Sequence, residues 1–179
     1  FVLDMLFIYT INKFSLREII SIFFLLSGLF VLGLYDDKFK LTANSRIIYS
    51  IIFILITLLL NNNLIIDKLY FSFLDRIIFL NKFSIIFTIF CFLAFLNALN
   101  FFDGINAQSC IFFSFIFLYL FLKTNLDFFY IFIFILLFLL LILNIKNKLF
   151  LGDSGILFLG SLFSVLLILD YNFNQNILY

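Results

Sequence analysis

The stretch FFYIFIFILLFLLLILNIKNKLFLGDSG, residues 128–155, sets a long apolar run against a short polar island. From Phe128 to Leu143 every residue is aliphatic or aromatic. A transmembrane strand would alternate apolar and polar at every second residue. An unalternating run reads as a helix. The island that follows carries Asn144, Lys146, Lys148, Asp153 and Ser154. Two further islands have the same character: GLYDDKFK at residues 33–40 and NALNFFDGIN at residues 97–106. Each of the three contains aspartate, and acids in a membrane-type sequence are costly and mark function more often than packing.

The composition agrees. The chain of 179 residues is 66% hydrophobic and 12% charged, with 32 Phe and no Pro, His or Trp. A soluble domain is nearer half apolar, with roughly a quarter of its residues charged. The mean hydropathy of +1.28 places the chain in the all-α class, as a polytopic transmembrane helix bundle. The net charge of +1 comes with no basic run that could neutralise a phosphate backbone, which excludes a nucleic-acid partner. Cys91 and Cys110 read as small buried hydrophobes. Residue 1 is Phe and both ends read as cut, so an interior piece of a longer protein is expected.

Residues 1–12 read as the tail of one span. Six crossings follow, over Ile19–Tyr35, Arg46–Leu60, Phe83–Leu96, Gln108–Leu122, Phe128–Leu143 and Ile156–Leu169. The mixed segment 64–82 reads as an interfacial loop or an amphipathic helix. Residues 1–179 thus form a single integral membrane domain of about six spans plus a partial first one. Several runs have only 14–16 residues, short of the ~20 needed for a full span. Polar flanks that continue each helix, or a locally thinned bilayer, would make up the difference. Two crossings separate each island from the next, so all three share one membrane face. Basic residues do not orient that face: Lys38, Lys40, Arg46, Lys146 and Lys148 lie on the motif side, and Lys13, Arg17, Lys68, Arg76, Lys82 and Lys123 lie on the other.

In order and type the islands resemble those of the polyprenyl-phosphate N-acetylhexosamine-1-phosphate transferases. That family carries an Asp-Asp pair after a span, then Asn-Ala-x-Asn-x-x-Asp-Gly, then Phe-x-Gly-Asp-[ST]-Gly. The chain has Asp36-Asp37; then Asn97, Ala98, Asn100, Asp103 and Gly104; then Phe150, Gly152, Asp153, Ser154 and Gly155. The resemblance implies transfer of an N-acetylhexosamine-1-phosphate, GlcNAc-1-phosphate by preference, from a UDP-sugar to undecaprenyl or another polyprenyl phosphate. UMP would leave, and a cell-envelope glycan would begin. It implies a multi-pass protein of the inner (plasma) membrane with its site facing the cytoplasm, where members are often homodimers. The chain departs from the pattern at Ala107, where many members have glycine, and its lack of His leaves out the family's His-rich loop.

The resemblance also implies roles. Asp153 and Asn100 would hold Mg²⁺, with Mn²⁺ as a substitute. Mg²⁺ suits such a site because it takes one or two carboxylates plus substrate phosphates. Asp36, Asp37 and Asp103 would be the catalytic acids. Arg46, Asn97, Asn106, Asn144 and Phe150 would bind substrate: Arg46 the phosphate, Asn106 and Phe150 the uracil, Asn144 the nucleotide. The residues themselves leave other readings open. Gly-Asp-Ser-Gly is also a helix start with Asp153 or Ser154 as N-cap, Asn with Gly ends helices, and Arg46 suits a snorkelling helix end. Asp36 and Asp37 are adjacent, so on a helix they diverge by about 100° and cannot both face one atom. A cation transporter and a catalytically inactive relative are the competing functions. Transporter acids sit near mid-membrane, whereas these lie at span ends.

Overall fold

The computed structural model describes residues 15–71, 76–102, 108–123, 128–146 and 148–177. The partial span at residues 1–12 lies outside them. In chain order the elements are α1 (Leu16–Phe39), α2 (Ala43–Leu60), a 3₁₀ turn (Asn62–Leu64), β1 (Lys68–Phe71), β2 (Arg76–Phe79), a second 3₁₀ turn (Asn81–Phe83), α3 (Ser84–Phe102), α4 (Gln108–Lys123), α5 (Phe128–Ile145) and α6 (Gly152–Ile177). The all-α bundle is therefore present. Among the described residues four helical segments are long and apolar enough to cross a membrane: Leu16–Phe39, Ala43–Leu60, Asn81–Phe101 and Gly152–Asn172. The apolar helices Gln108–Leu122 and Ile131–Ile145 are shorter.

Most helices outrun the apolar runs, and the extensions are polar. α1 continues through Asp36 and Asp37 to Phe39, α3 through Asn97 and Asn100 to Phe102, and α6 starts at Gly152. At 24 residues, α1 is ~36 Å long, enough for a hydrocarbon core of ~30 Å. Local chemistry fixes its ends. Ser15 and Glu18 form a reciprocal capping box at the start. Lys40, left-handed at φ 50°, closes the other end by donating its N–H to the Asp36 carbonyl at 2.8 Å. Thr42 then caps α2, its hydroxyl accepting from the Ser45 N–H.

Segment 64–82 is neither a plain loop nor a helix. β1 and β2 pair antiparallel, Lys68 opposite Phe79 and Phe71 opposite Arg76, between the two 3₁₀ turns. Pairing removes the backbone groups of a short extended segment from apolar surroundings, where they would otherwise be unsatisfied.

α6 is the hub. It packs on α1 and α3, α1 and α3 each also contact α2, and α4 pairs with α5. In its apolar window 56% of α6 is buried, against 22–28% for the other three long segments. Ser21, Leu25, Leu29, Leu32 and Asp36 form one buried stripe on α1. The leucines pack with Ile54, Leu58, Phe92, Leu96, Leu157 and Val165. A second cluster joins Leu99, Phe113, Phe117, Leu137, Ile156 and Phe163. Lipid is as apolar as leucine, so close packing rather than water exclusion holds such helices together. The stripe on α1 ends in a buried carboxylate, and that places Asp36 inside the bundle.

Candidate active site

Four helices each bring one polar side chain to the same end of the bundle. Asp36, on α1, is only 5% exposed. One of its oxygens accepts the Leu41 N–H at 2.7 Å and the other accepts Arg46 Nη1 at 3.2 Å. The left-handed turn at Lys40 and the cap at Thr42 fold the start of α2 back over the end of α1, which brings Arg46 there. Arg46 also lies 3.8 Å from Asp153 Oδ1, on α6. Asn100, on α3, completes the group. With its amide oriented to match the donors and acceptors around it, its oxygen accepts from Arg46 Nη1 and Nη2, each at 3.0 Å, and its nitrogen donates to Asp153 Oδ1. A guanidinium fork can serve two acceptors in fixed geometry, and here it ties three helices to a fourth.

Asp37 faces elsewhere, as its offset from Asp36 requires. Its two oxygens accept the backbone N–H groups of Asp153 at 2.9 Å and Ser154 at 3.1 Å. These are first-turn donors of α6 that no intrahelical carbonyl can satisfy. The cap of α6 thus comes from α1, not from Asp153 or Ser154. Gly152 precedes those donors at φ +67°, a conformation that L side chains rarely adopt.

The remaining candidates are distributed as follows. Asn97 donates to the Leu93 carbonyl of its own helix at 2.9 Å. Asn144 is buried at the end of α5. Phe150 is 56% exposed between α5 and α6, open to a stacking partner. Asp103 and Asn106 lie outside the described residues.

A model of glycosyl transferase family 4 matches residues 19–170. The chain belongs to glycosyl transferase family 4. Comparison with curated proteins gives no match. Membership in family 4 makes the chain a membrane sugar-phosphate transferase in kind, and the four long apolar segments agree with a protein embedded in the bilayer.

At this family 4 site Asp36 and Asp153 lie beside the Arg46 guanidinium, and Asp37 caps the N-terminus of α6. The helix end supplies only partial positive charge, about half a unit. Among the described residues no three His, Cys, Asp or Glu side chains converge as a metal cluster. The donor set nonetheless fits a cation that takes one or two protein carboxylates and completes its shell with water and phosphate. Of the two carboxylates beside Arg46, Asp153 is the more open, with its side chain 34% exposed against 5% for Asp36.

Gly33 is a structural contributor that the motifs do not mark. A Cβ there would run into the Cα of Ser154, so glycine lets α1 and the start of α6 touch backbone to backbone. The available signal was a small residue one turn before an acid pair, the usual device for close helix approach in membranes.

Proposed function

We propose that the chain transfers an N-acetylhexosamine-1-phosphate, GlcNAc-1-phosphate by preference, from a UDP-sugar to a polyprenyl phosphate such as undecaprenyl phosphate. A phosphate oxygen of the lipid attacks the sugar-linked phosphorus. The bond from that phosphorus to the bridging oxygen breaks, and UMP leaves with the electron pair. The lipid diphosphosugar stays in the membrane. The observation that carries this reading is the meeting of Asp36, Arg46, Asn100 and Asp153 at the end of an otherwise apolar bundle. A lipid phosphate lies at that depth, and a water-borne nucleotide can reach it.

Phosphoryl transfer needs positioning and charge neutralisation more than covalent help from the protein. Arg46 supplies the positive charge for the diphosphate, held in place by Asp36. Asp153, with Asn100 turned toward it, would hold Mg²⁺, or Mn²⁺ in its place. When bound, the ion neutralises charge on the diphosphate and the departing UMP. The exposed Phe150 offers its ring to the uracil, and Asn106 and Asn144 serve the nucleotide. Asp103 keeps the catalytic role that the family resemblance implies. We place the site on the cytoplasmic side of the plasma membrane, where UDP-sugars are made, and a homodimer suits this reading.

The test is UMP release from UDP-GlcNAc by the purified protein in detergent. We expect release that requires both undecaprenyl phosphate and Mg²⁺. Release without lipid would mean hydrolysis, and no release with any UDP-N-acetylhexosamine would return the reading to an inactive relative. Cation transport is disfavoured because the acids cluster at helix ends and not at mid-span.

A further inference from the structure

Resting on the transferase reading above, we propose that Asp37 is a positioning residue: it acts through the first turn of α6 to set the Asp153 carboxylate, and it moves no proton. Two independent contacts carry this. The first is the cap. Both Asp37 oxygens accept from α6 backbone, the N–H of Asp153 itself and that of Ser154, across 116 and 117 residues of chain. Holding the Asp153 N–H fixes the backbone from which its side chain departs. The second is the glycine fit on either side of the cap. Gly33, one turn before Asp37 on α1, abuts Ser154 backbone, and a Cβ at Gly152 would lie 3.1 and 3.3 Å from the Asp37 oxygens. α1 therefore grips the start of α6 at two points one turn apart.

The cap also steers substrate. A free helix N-terminus is a ready anion site, and here the Asp37 carboxylate occupies it. A diphosphate is thereby directed to the adjoining Arg46 and Asp153 side. The adjacent acids then divide the work. Asp36 holds Arg46, which meets the diphosphate, and Asp37 holds α6, which carries Asp153.

Replacing Asp37 by Asn or Ser separates a cap from a base. Asn keeps one oxygen that can accept one of the two first-turn N–H groups, Ser keeps a shorter hydroxyl that can accept at most one, and neither can act as a carboxylate base. Ala keeps neither property. We expect Asp37→Asn to retain transfer within about tenfold, with the acid limb of its pH–rate profile unchanged, and Asp37→Ala to lose about a hundredfold or more. Amide hydrogen exchange provides a readout independent of activity. The segment around Asp153 and Ser154 should exchange faster in Asp37→Ala than in wild type, with Asp37→Asn between the two because it keeps one of the two accepting oxygens, while the peptides of α4 and α5 are unchanged in both. Asp37→Asn as inactive as Asp37→Ala, or exchange at 152–155 indifferent to Asp37→Ala, would overturn the inference. If the wild type shows no transfer, the functional reading fails alone, since the exchange arm still decides whether Asp37 holds α6.

Discussion

The two ends of this bundle are both polar, but they bond differently. At the hairpin end, side chains mostly serve backbone. The Thr88 hydroxyl accepts the Ile66 N–H at 2.9 Å, the Tyr171 hydroxyl accepts the Tyr70 N–H and donates to the Lys68 carbonyl, and Asn172 donates to the carbonyls of Asn63 and Ile65. These bonds secure an irregular connection, which near lipid must satisfy its own backbone. At the motif end, charged side chains of α1, α2 and α6 meet one another and the Asn100 amide of α3. Bringing charges together in a low-dielectric setting costs desolvation that pairing repays only in part. We assign the polar groups of the hairpin end to the fold and the charge cluster of the motif end to the proposed chemistry.

If that contrast is right, substitutions should sort by end. The largest effect is expected from Asp153→Asn. Its shape and its place in the α6 turn are kept, but the charge that would face a cation is lost. Mg²⁺-dependent transfer should fall at least about a hundredfold, the scale of a lost transition-state charge contact. Membrane insertion and thermal midpoint should hardly change. Retained turnover in that variant would remove Asp153 from the chemistry.

Arg46→Gln should follow, affecting both activity and stability. It leaves Asp36, 5% exposed, without its counter-charge, and breaking a buried pair costs up to about 3–5 kcal/mol. Adding Asp36→Asn to Arg46→Gln should restore the thermal midpoint without restoring transfer. Recovery of both would mean that the pair is structural. Arg46→Lys should still lose roughly tenfold, because an ammonium cannot reproduce the fork that meets Asp36 and Asn100.

Gly33→Val should come next. It forces α1 and the start of α6 apart, and overpacking of this kind costs about 1–3 kcal/mol. Transfer should drop together with hydrogen-exchange protection at 152–155. The smallest effect belongs to the hairpin end. Tyr171→Phe removes the hydroxyl shared by Tyr70 and Lys68, which should cost about 1 kcal/mol in stability and leave turnover within twofold. A large loss of transfer in Tyr171→Phe would erase the distinction between the ends.

Much of this organisation is legible in the sequence. The all-α membrane class followed from runs such as Phe128–Leu143, and the order of the three islands carried the family. Apolar runs mark only the middle of each helix, and the polar flanks expected to continue them do so in most helices. Asp36 and Asp37, Asn97 and Asn100, and Asp153 all sit within helices, since the intrahelical bond ladder continues into polar sequence once the chain leaves the hydrocarbon. The hairpin was missed because its two strands have four residues each, too few for alternation to be told from a helical face. Within the site, the divergence of Asp36 from Asp37 followed from helix geometry. What each one meets did not, because that depends on α6 docking against Gly33, a contact between residues more than a hundred positions apart.

The most direct test follows the fate of one phosphorus atom. UDP-GlcNAc radiolabelled at the sugar-linked phosphate is incubated with membranes carrying the wild-type protein or Asp153→Asn, with polyprenyl phosphate and Mg²⁺, and the label is partitioned between lipid and water. We predict that the label enters the lipid phase with the wild type, together with release of UMP, and stays in water with Asp153→Asn. Label that remains in water as UDP while sugar reaches the lipid, or lipid labelling that survives Asp153→Asn, would contradict phosphosugar transfer at this site.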